Sequence, residues 1–262
     1  MDWKNNALAI VILEIVVNCL FVECGRIKRV IGGERIDCGL QPRVASLRNS
    51  TTGQHLCGAT IISPYFALTS AHCATSKEDD YILQLNNYCI PDGGKIPTAT
   101  VKKIFKHESF DPVTKAHDLA LLRITLHLCD KSWLKESILP KSSFGLSGVC
   151  TIYGYGYKDL VTKETSTVLL AGRLRMVSLD ECRRALGEFA SPDADSGMIC
   201  AVGDGVDACQ GDSGSPLICS QGKLEGISSY GMSCGVPGLP GVYTSVAAHL
   251  TWIRETMKCH GP

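Results

Sequence analysis

Neither sign of charge dominates this chain: 26 Lys and Arg stand against 26 Asp and Glu in 262 residues. That balance excludes the basic field with which nucleic-acid binders meet phosphates, and it excludes an acidic solvating tail. The 14 cysteines include no CxxC pair and no Cys/His cluster with zinc-ligand spacing. There is no internal repeat and no low-complexity segment, and past the first twenty residues no apolar run is long enough to cross a bilayer. With 45% hydrophobic and 20% charged residues, a disordered chain is also excluded.

What is present begins with a leader. Lys4 precedes an apolar run over 7–17, broken by Glu14, and Cys19, Cys24 and Gly25 come after it. The pattern predicts a secretory signal peptide over 1–24, too short and too acidic in its middle for a membrane span. Fourteen cysteines in a secreted chain predict disulfides, and the twelve from Cys38 to Cys259 suffice for six bridges. A basic cluster, Arg26-Ile27-Lys28-Arg29, then runs into Val30-Ile31-Gly32-Gly33. It reads as a processing site, with 25–29 as a propeptide and a new N-terminus at Val30.

The body is rich in short β-type runs, at 44–47, 55–62, 66–69, 81–85, 100–105 and 119–125, and again at 149–155, 168–177, 198–202, 216–220, 224–230 and 241–245. Two sets of about six strands predict an all-β pair of barrels or sandwiches, parted by the turn-rich stretch at 130–148. Two helices are predicted. Ser178-Leu179-Asp180-Glu181 is a capping-box pattern leading into a short one, and Leu250, Ile253 and Met257 form an apolar stripe on a closing one. Asn49-Ser50-Thr51 is an N-glycosylation sequon in a polar turn.

Chemistry concentrates in Asp207-Ala208-Cys209-Gln210-Gly211-Asp212-Ser213-Gly214-Ser215-Pro216. A serine hydroxyl needs a base for its proton, a group to hold that base, and donors for a developing oxyanion. His72 closes the apolar run Leu68-Thr69-Ser70-Ala71-His72-Cys73, and Asp118 stands at the mouth of Leu119-Ala120-Leu121-Leu122. A carboxylate placed there wants a hydrogen-bond partner, and an imidazole N–H satisfies it while freeing the other ring nitrogen for Ser213.

The order His, Asp, Ser in these three motifs resembles the chymotrypsin family of serine proteases, in its trypsin-like branch, over residues 30 to about 257. The resemblance implies two six-stranded Greek-key β-barrels packed together, with a short intermediate helix and a C-terminal helix, in one protease domain over 30–262. It implies His72 as general base and then acid, Asp118 as its orienter, Ser213 as nucleophile, and the N–H groups of Gly211 and Ser213 as the oxyanion hole. Asp212 would accept the amino group freed at Val30 by cleavage after Arg29, which makes the precursor a nearly inactive zymogen. Asp207 would lie at the base of the first substrate pocket and select Arg or Lys, between Gly231 and Gly241, with Ala208, Ser229 and Tyr230 around it. Ala208 lacks a hydroxyl that some members use for Lys, which favours Arg. The resemblance also implies the bridges Cys57–Cys73, Cys150–Cys219, Cys182–Cys200 and Cys209–Cys234. For the cysteines without a template we expect Cys38–Cys89 and Cys129–Cys259.

The chain departs from the family pattern at Tyr155 and Tyr230, where tryptophan is usual, and altered subsite preferences are expected from both. The stretch 86–95 has only Asp92 as a carboxylate, so no metal and no cofactor are expected. The expected partners are protein or peptide substrates with Arg or Lys before the scissile bond, an activating protease and protein protease inhibitors. No nucleic acid or membrane is expected, and the secreted, extracellular protein is expected to be a monomer. A catalytically dead binding module would have lost one of His72, Asp118, Ser213, Gly211 or Asp212, and all five are present. A narrow regulatory protease remains the alternative to a digestive one, and the added cysteines lean toward it.

Overall fold

Strand β7 (Ala120–His127) shows how the sequence sets the architecture. Its far half alternates buried and exposed residues, as a strand with one face on a core must, whereas its first three residues are all buried. Leu122, Ile124 and Leu126 point into one barrel, while Leu119 and Leu121 pack on a second apolar cluster that also takes residues from the other half of the chain. The uninterrupted apolar run is therefore a strand sandwiched at an interface.

The computed structural model describes residues 33–41, 43–87, 89–90, 94–141, 148–157, 162–219 and 222–261. The expected leader, the propeptide, Arg29, Val30 and Asp92 lie outside them. After a two-residue strand β1 (Glu34–Arg35), β2 (Val44–Asn49), β3 (His55–Ser63), β4 (Phe66–Thr69), β5 (Tyr81–Gln84), β6 (Thr98–Lys106) and β7 close a barrel in the order β2-β3-β4-β7-β6-β5. The second half supplies β8 (Val149–Gly154), β9 (Leu170–Val177), β10 (Met198–Val202), β11 (Pro216–Cys219), β12 (Lys223–Tyr230) and β13 (Gly241–Ser245). Their order is β9-β10-β13-β12-β11-β8, closed by β8 on β9, with β1 added at β9. Both barrels share one topology, three meandering strands and three that return. The expected pair of six-stranded barrels is what the chain forms, and β1 is the one described strand the pattern missed.

Helix α1 (Leu179–Leu186) begins where the cap was expected, with the Ser178 hydroxyl accepting from the Glu181 N–H at 3.1 Å. The reciprocal half of a capping box is replaced: Glu181 pairs with Arg175 at 2.9 Å. Helix α2 (Leu250–His260) starts at the first residue of the stripe and packs Leu250 and Ile253 into the cluster between the barrels, beside Ile62, Phe66 and Leu68.

The four template bridges are formed, and so is Cys38–Cys89. The expected Cys129–Cys259 bridge is not; both are exposed free thiols. Strand geometry explains the miss. His260 stacks on Phe105, which pairs with Leu121, and the six residues from there to His127 alone span about 20 Å. A disulfide tolerates roughly 7 Å between Cα atoms.

Candidate active site

The register of β4 on β7 places the first two site residues. Thr69, the last residue of β4, pairs with Ala120, the first of β7, so the turn leaving β4 and the turn entering β7 meet at one barrel end. His72 sits there in a 3-10 turn (Ala71–Cys73), and Asp118 two residues before β7. His72 Nδ1 lies 2.6 Å from Asp118 Oδ2, and the His72 backbone N–H donates to Oδ1 at 2.9 Å. Asp118 is fully buried, and Ser229 Oγ donates to the same Oδ2 at 2.6 Å. Burial pushes this carboxyl up, but the donations from His72 and Ser229 outweigh it and hold the carboxyl below its ordinary value. With Nδ1–H committed to Asp118, Nε2 is the nitrogen left to accept a proton.

Ser213 arrives from the other barrel. Pro216 of β11 pairs with Ile227 of β12, so Ser213, three residues before, comes beside Ser229, two after. Ser213 Oγ donates to the Ser229 carbonyl at 3.4 Å, and among the described residues it has no hydrogen bond to His72. Both line one cleft with Gly211. Catalytic hydrogen bonds commonly tighten only when substrate is bound.

The loop before Ser213 is held from several sides. Asp212 is fully buried, its Oδ1 accepting from Gly156 N–H at 2.7 Å and its Oδ2 from Cys209 N–H at 2.9 Å. A Cβ on Gly154 or Gly156 would run into this carboxyl, which is why that segment carries glycines. Burial raises Asp212 to about 6, against the two backbone donations, and no cation pairs with it among the described residues. Gly211 has φ +91, the left-handed region that favours glycine. The N–H groups of Gly211 and Ser213 have no acceptor among the described residues, whereas Asp212, Gly214 and Ser215 each donate to a backbone carbonyl. Two unspent donors beside a serine are what an oxyanion needs.

Asp207 lines a cavity of about 220 Å³ together with Ser213, His72, Ala208, Ser229, Tyr230, Gly231 and Gly241. Only 4% of Asp207 is exposed. Burial pushes its carboxyl up to about 7, backbone donations from Ala208 and Gly235 pull it down, and the charge of Asp212 adds to the rise. A Cβ on Gly241 would sit 3.1 Å from Asp207 Oδ1, so a side chain there would crowd the carboxylate. At Gly231 a Cβ would meet only the Ser233 carbonyl oxygen, at 3.9 Å. The two tyrosines differ: Tyr230 lines the cavity, while Tyr155 is fully buried between Val44 and Leu169 and touches no substrate path, so an altered subsite is not expected from it.

The sequence reading missed three contributors. His55, on the first strand position of β3, lies with Nε2 2.8 Å from the Gly211 carbonyl and Nδ1 2.7 Å from Ser46 Oγ. A carbonyl only accepts, so Nε2 carries the proton and Nδ1 accepts from Ser46, which fixes the peptide of Gly211. Thr244 Oγ1 donates to the Asp118 carbonyl at 2.8 Å, and Lys115 lines the Asp207 cavity. The test that flagged Asp118, a polar residue opening an apolar strand, applies equally to His55.

Two barrels with a serine, a histidine and a buried aspartate gathered where they meet define the class of serine-nucleophile hydrolases. A family model described as Trypsin matches residues 30–253. The chain is 34% identical over 240 residues to human serine protease 56, covering 88% of this chain and 39% of that protein. It is 30% identical over 234 residues to chicken trypsin I-P1, covering 88% of this chain and 90% of that one. Among solved structures, mouse neuropsin, a serine protease expressed in the limbic system of the brain, superposes with a TM-score of 0.73 at 29% identity, over 86% of this chain and 98% of that one. The chain belongs to the trypsin family, the trypsin-like serine endopeptidases. It spans about 39% of the length of serine protease 56.

Proposed function

We propose that this protein is secreted as an inactive precursor, is cleaved after Arg29, and then hydrolyses peptide bonds on the C-terminal side of Arg or Lys. The observation that carries the reading is Asp207, a buried carboxylate lining the same cavity as Ser213 and His72. A guanidinium or ammonium entering that cavity restores the charge that burial suppresses on Asp207, while a Phe or Leu side chain would leave the carboxyl unmatched.

In this reading a bound peptide presents its carbonyl carbon to Ser213 Oγ. His72 Nε2 takes the hydroxyl proton as the C–O bond forms, and Asp118 stabilises the resulting imidazolium. The oxyanion is received by the N–H groups of Gly211 and Ser213, each worth roughly 3 to 4 kcal/mol in the transition state. His72 then returns the proton to the leaving amine, and water hydrolyses the acyl-enzyme by the same steps. Asp212 supplies the switch. Its buried carboxyl lacks a cation among the described residues, and an amine freed at Val30 would ionise it and fix the loop that holds both donors. Protein protease inhibitors would occupy the same cleft, and Asn49, which also lines it and whose Oδ1 accepts from the Thr51 and Thr52 N–H groups, would carry a glycan.

The test is to express the precursor, cleave it after Arg29, and measure hydrolysis of peptide substrates that differ only in Arg, Lys, Phe or Leu before the scissile bond. Cleavage after Arg and Lys, dependent on prior processing, is expected. Faster cleavage after Phe would overturn the role of Asp207, and full activity without processing would overturn that of Asp212.

A further inference from the structure

Next to Asp118, three imidazoles converge. His107 comes directly after β6, His117 immediately precedes Asp118, and His249 is the residue before α2; one ring nitrogen of each lies within 4.8 Å of the others. His117 Nδ1 and His249 Nε2 are 3.0 Å apart. His249 Nδ1 lies 2.6 Å from the Ser245 carbonyl, which can only accept, so that nitrogen carries the proton and Nε2 presents its lone pair. Gly197, at φ +68, keeps the neighbouring space open: a Cβ there would sit 3.0 Å from His249 Nε2 and 3.1 Å from His117 Nδ1. The described residues offer one other group with ligand spacing, Cys57, His72 and Cys73, and its sulfurs are spent in a disulfide.

We propose that His107, His117 and His249 form a binding site for one zinc-class divalent cation, which acts on the neighbouring positioning residue Asp118. An all-imidazole donor set suits Zn²⁺, Ni²⁺ or Cu²⁺ and not Ca²⁺ or Mg²⁺. Three histidines with water in the fourth place make a tetrahedral site, and the His249–Ser245 contact is the outer partner that fixes a ligand's tautomer. Ligation at about 2.0 to 2.1 Å places neighbouring nitrogens roughly 3.3 Å apart. The His117–His249 pair must therefore open slightly, and His107 must turn out of its stack on His117, where the rings lie 15° from parallel.

That small adjustment has leverage. His117 is one peptide bond from Asp118, and His249 reaches back to Ser245, whose neighbour Thr244 donates to the Asp118 carbonyl. A metal would thus link the loop of the first barrel that bears the orienting carboxylate to the end of β13 in the second. Displacing Asp118 weakens its hold on His72, so occupancy is expected to lower the hydrolytic rate. The effect on rate rests on the proposed triad; the binding does not.

Zinc binding is therefore measured first by calorimetry on the full-length precursor, and tetrahedral coordination by the visible bands of bound Co²⁺. One zinc per chain is expected, with affinity falling at least about tenfold in His107→Gln, a half-buried position where the fold tolerates an amide. The same stoichiometry is expected in His72→Ala. In the processed enzyme, zinc should slow hydrolysis relative to each variant's own zinc-free rate, and less so in His107→Gln. Absence of binding, equal affinity in His107→Gln, or loss of binding in His72→Ala would each overturn the site, the last by assigning the metal to the catalytic histidine. Binding without any change in rate would overturn its action on Asp118.

Discussion

The two barrels share one strand order, yet they hold their buried carboxylates in opposite ways. Asp118, at the end of the first, is surrounded by donors: a ring nitrogen and backbone N–H of His72 and the hydroxyl of Ser229. Its carboxyl is stabilised as an anion in the resting protein. Asp207 and Asp212, in the second, are comparably buried but receive backbone donations with no cation among the described residues, and burial lifts them to about 7 and about 6. The difference assigns the proposed tasks. A charge that must be permanent is given its partners by the fold, and a charge that responds to substrate or to processing is left short of one.

The sharpest way to break this contrast is across the barrel junction. Ser213→Ala is expected to lower kcat/KM by about 10⁶-fold and Asp118→Asn by about 10⁴-fold, because asparagine leaves His72 in the wrong tautomer. Both are read on an Arg ester, with far-UV circular dichroism unchanged. A loss below tenfold in Asp118→Asn would remove the first barrel from the chemistry.

Next in size is the pocket carboxylate. Asp207→Ser is expected to reduce discrimination between Arg and Leu substrates by about 10⁴-fold. If Asp207 selects cations as proposed, benzamidine is expected to bind its ionised form in the unaltered enzyme, with affinity rising as pH rises through about 7 and then levelling off. Below that pH, binding should release a proton, seen as a buffer-dependent heat.

The stability of the precursor tests the switch. A carboxyl that holds its proton more tightly folded than unfolded favours the folded state at low pH and loses that advantage as pH rises through its folded value, between about 4 and 6 for Asp212. The expected loss is about 3 kcal/mol, since each tenfold change in proton affinity is about 1.4 kcal/mol. Urea midpoints of the precursor should fall more steeply over this window than those of Asp212→Asn, and processing should flatten them by supplying the amine. The smallest effect is expected outside the site. Ser178→Ala removes the cap of α1 and should cost about 1 kcal/mol in urea unfolding, with kcat/KM unchanged.

Much of this was legible in the chain itself. Short β-type runs separated by turn residues located all twelve barrel strands, because side-chain alternation and turn chemistry are local. Ser178 announced α1 for the same reason. The three motifs around His72, Asp118 and Ser213 named the candidate site because each breaks an otherwise apolar or glycine-rich pattern with a residue that is costly to bury.

Other features depended on residues far apart in sequence. Whether Cys129 meets Cys259 is decided by where α2 lands on the barrels, and it lands at the opposite end of β7. That Tyr155 is sealed between the halves while Tyr230 faces the cavity is set by which side of the junction each strand end occupies. His55 reaches Gly211 across 156 residues, and His107, His117 and His249 converge from both halves of the chain. The sequence alone determined the elements, the cysteine framework in large part and the chemical types available. Only the tertiary structure decided which buried charges received partners, because donors are supplied by whichever strands the barrels bring alongside.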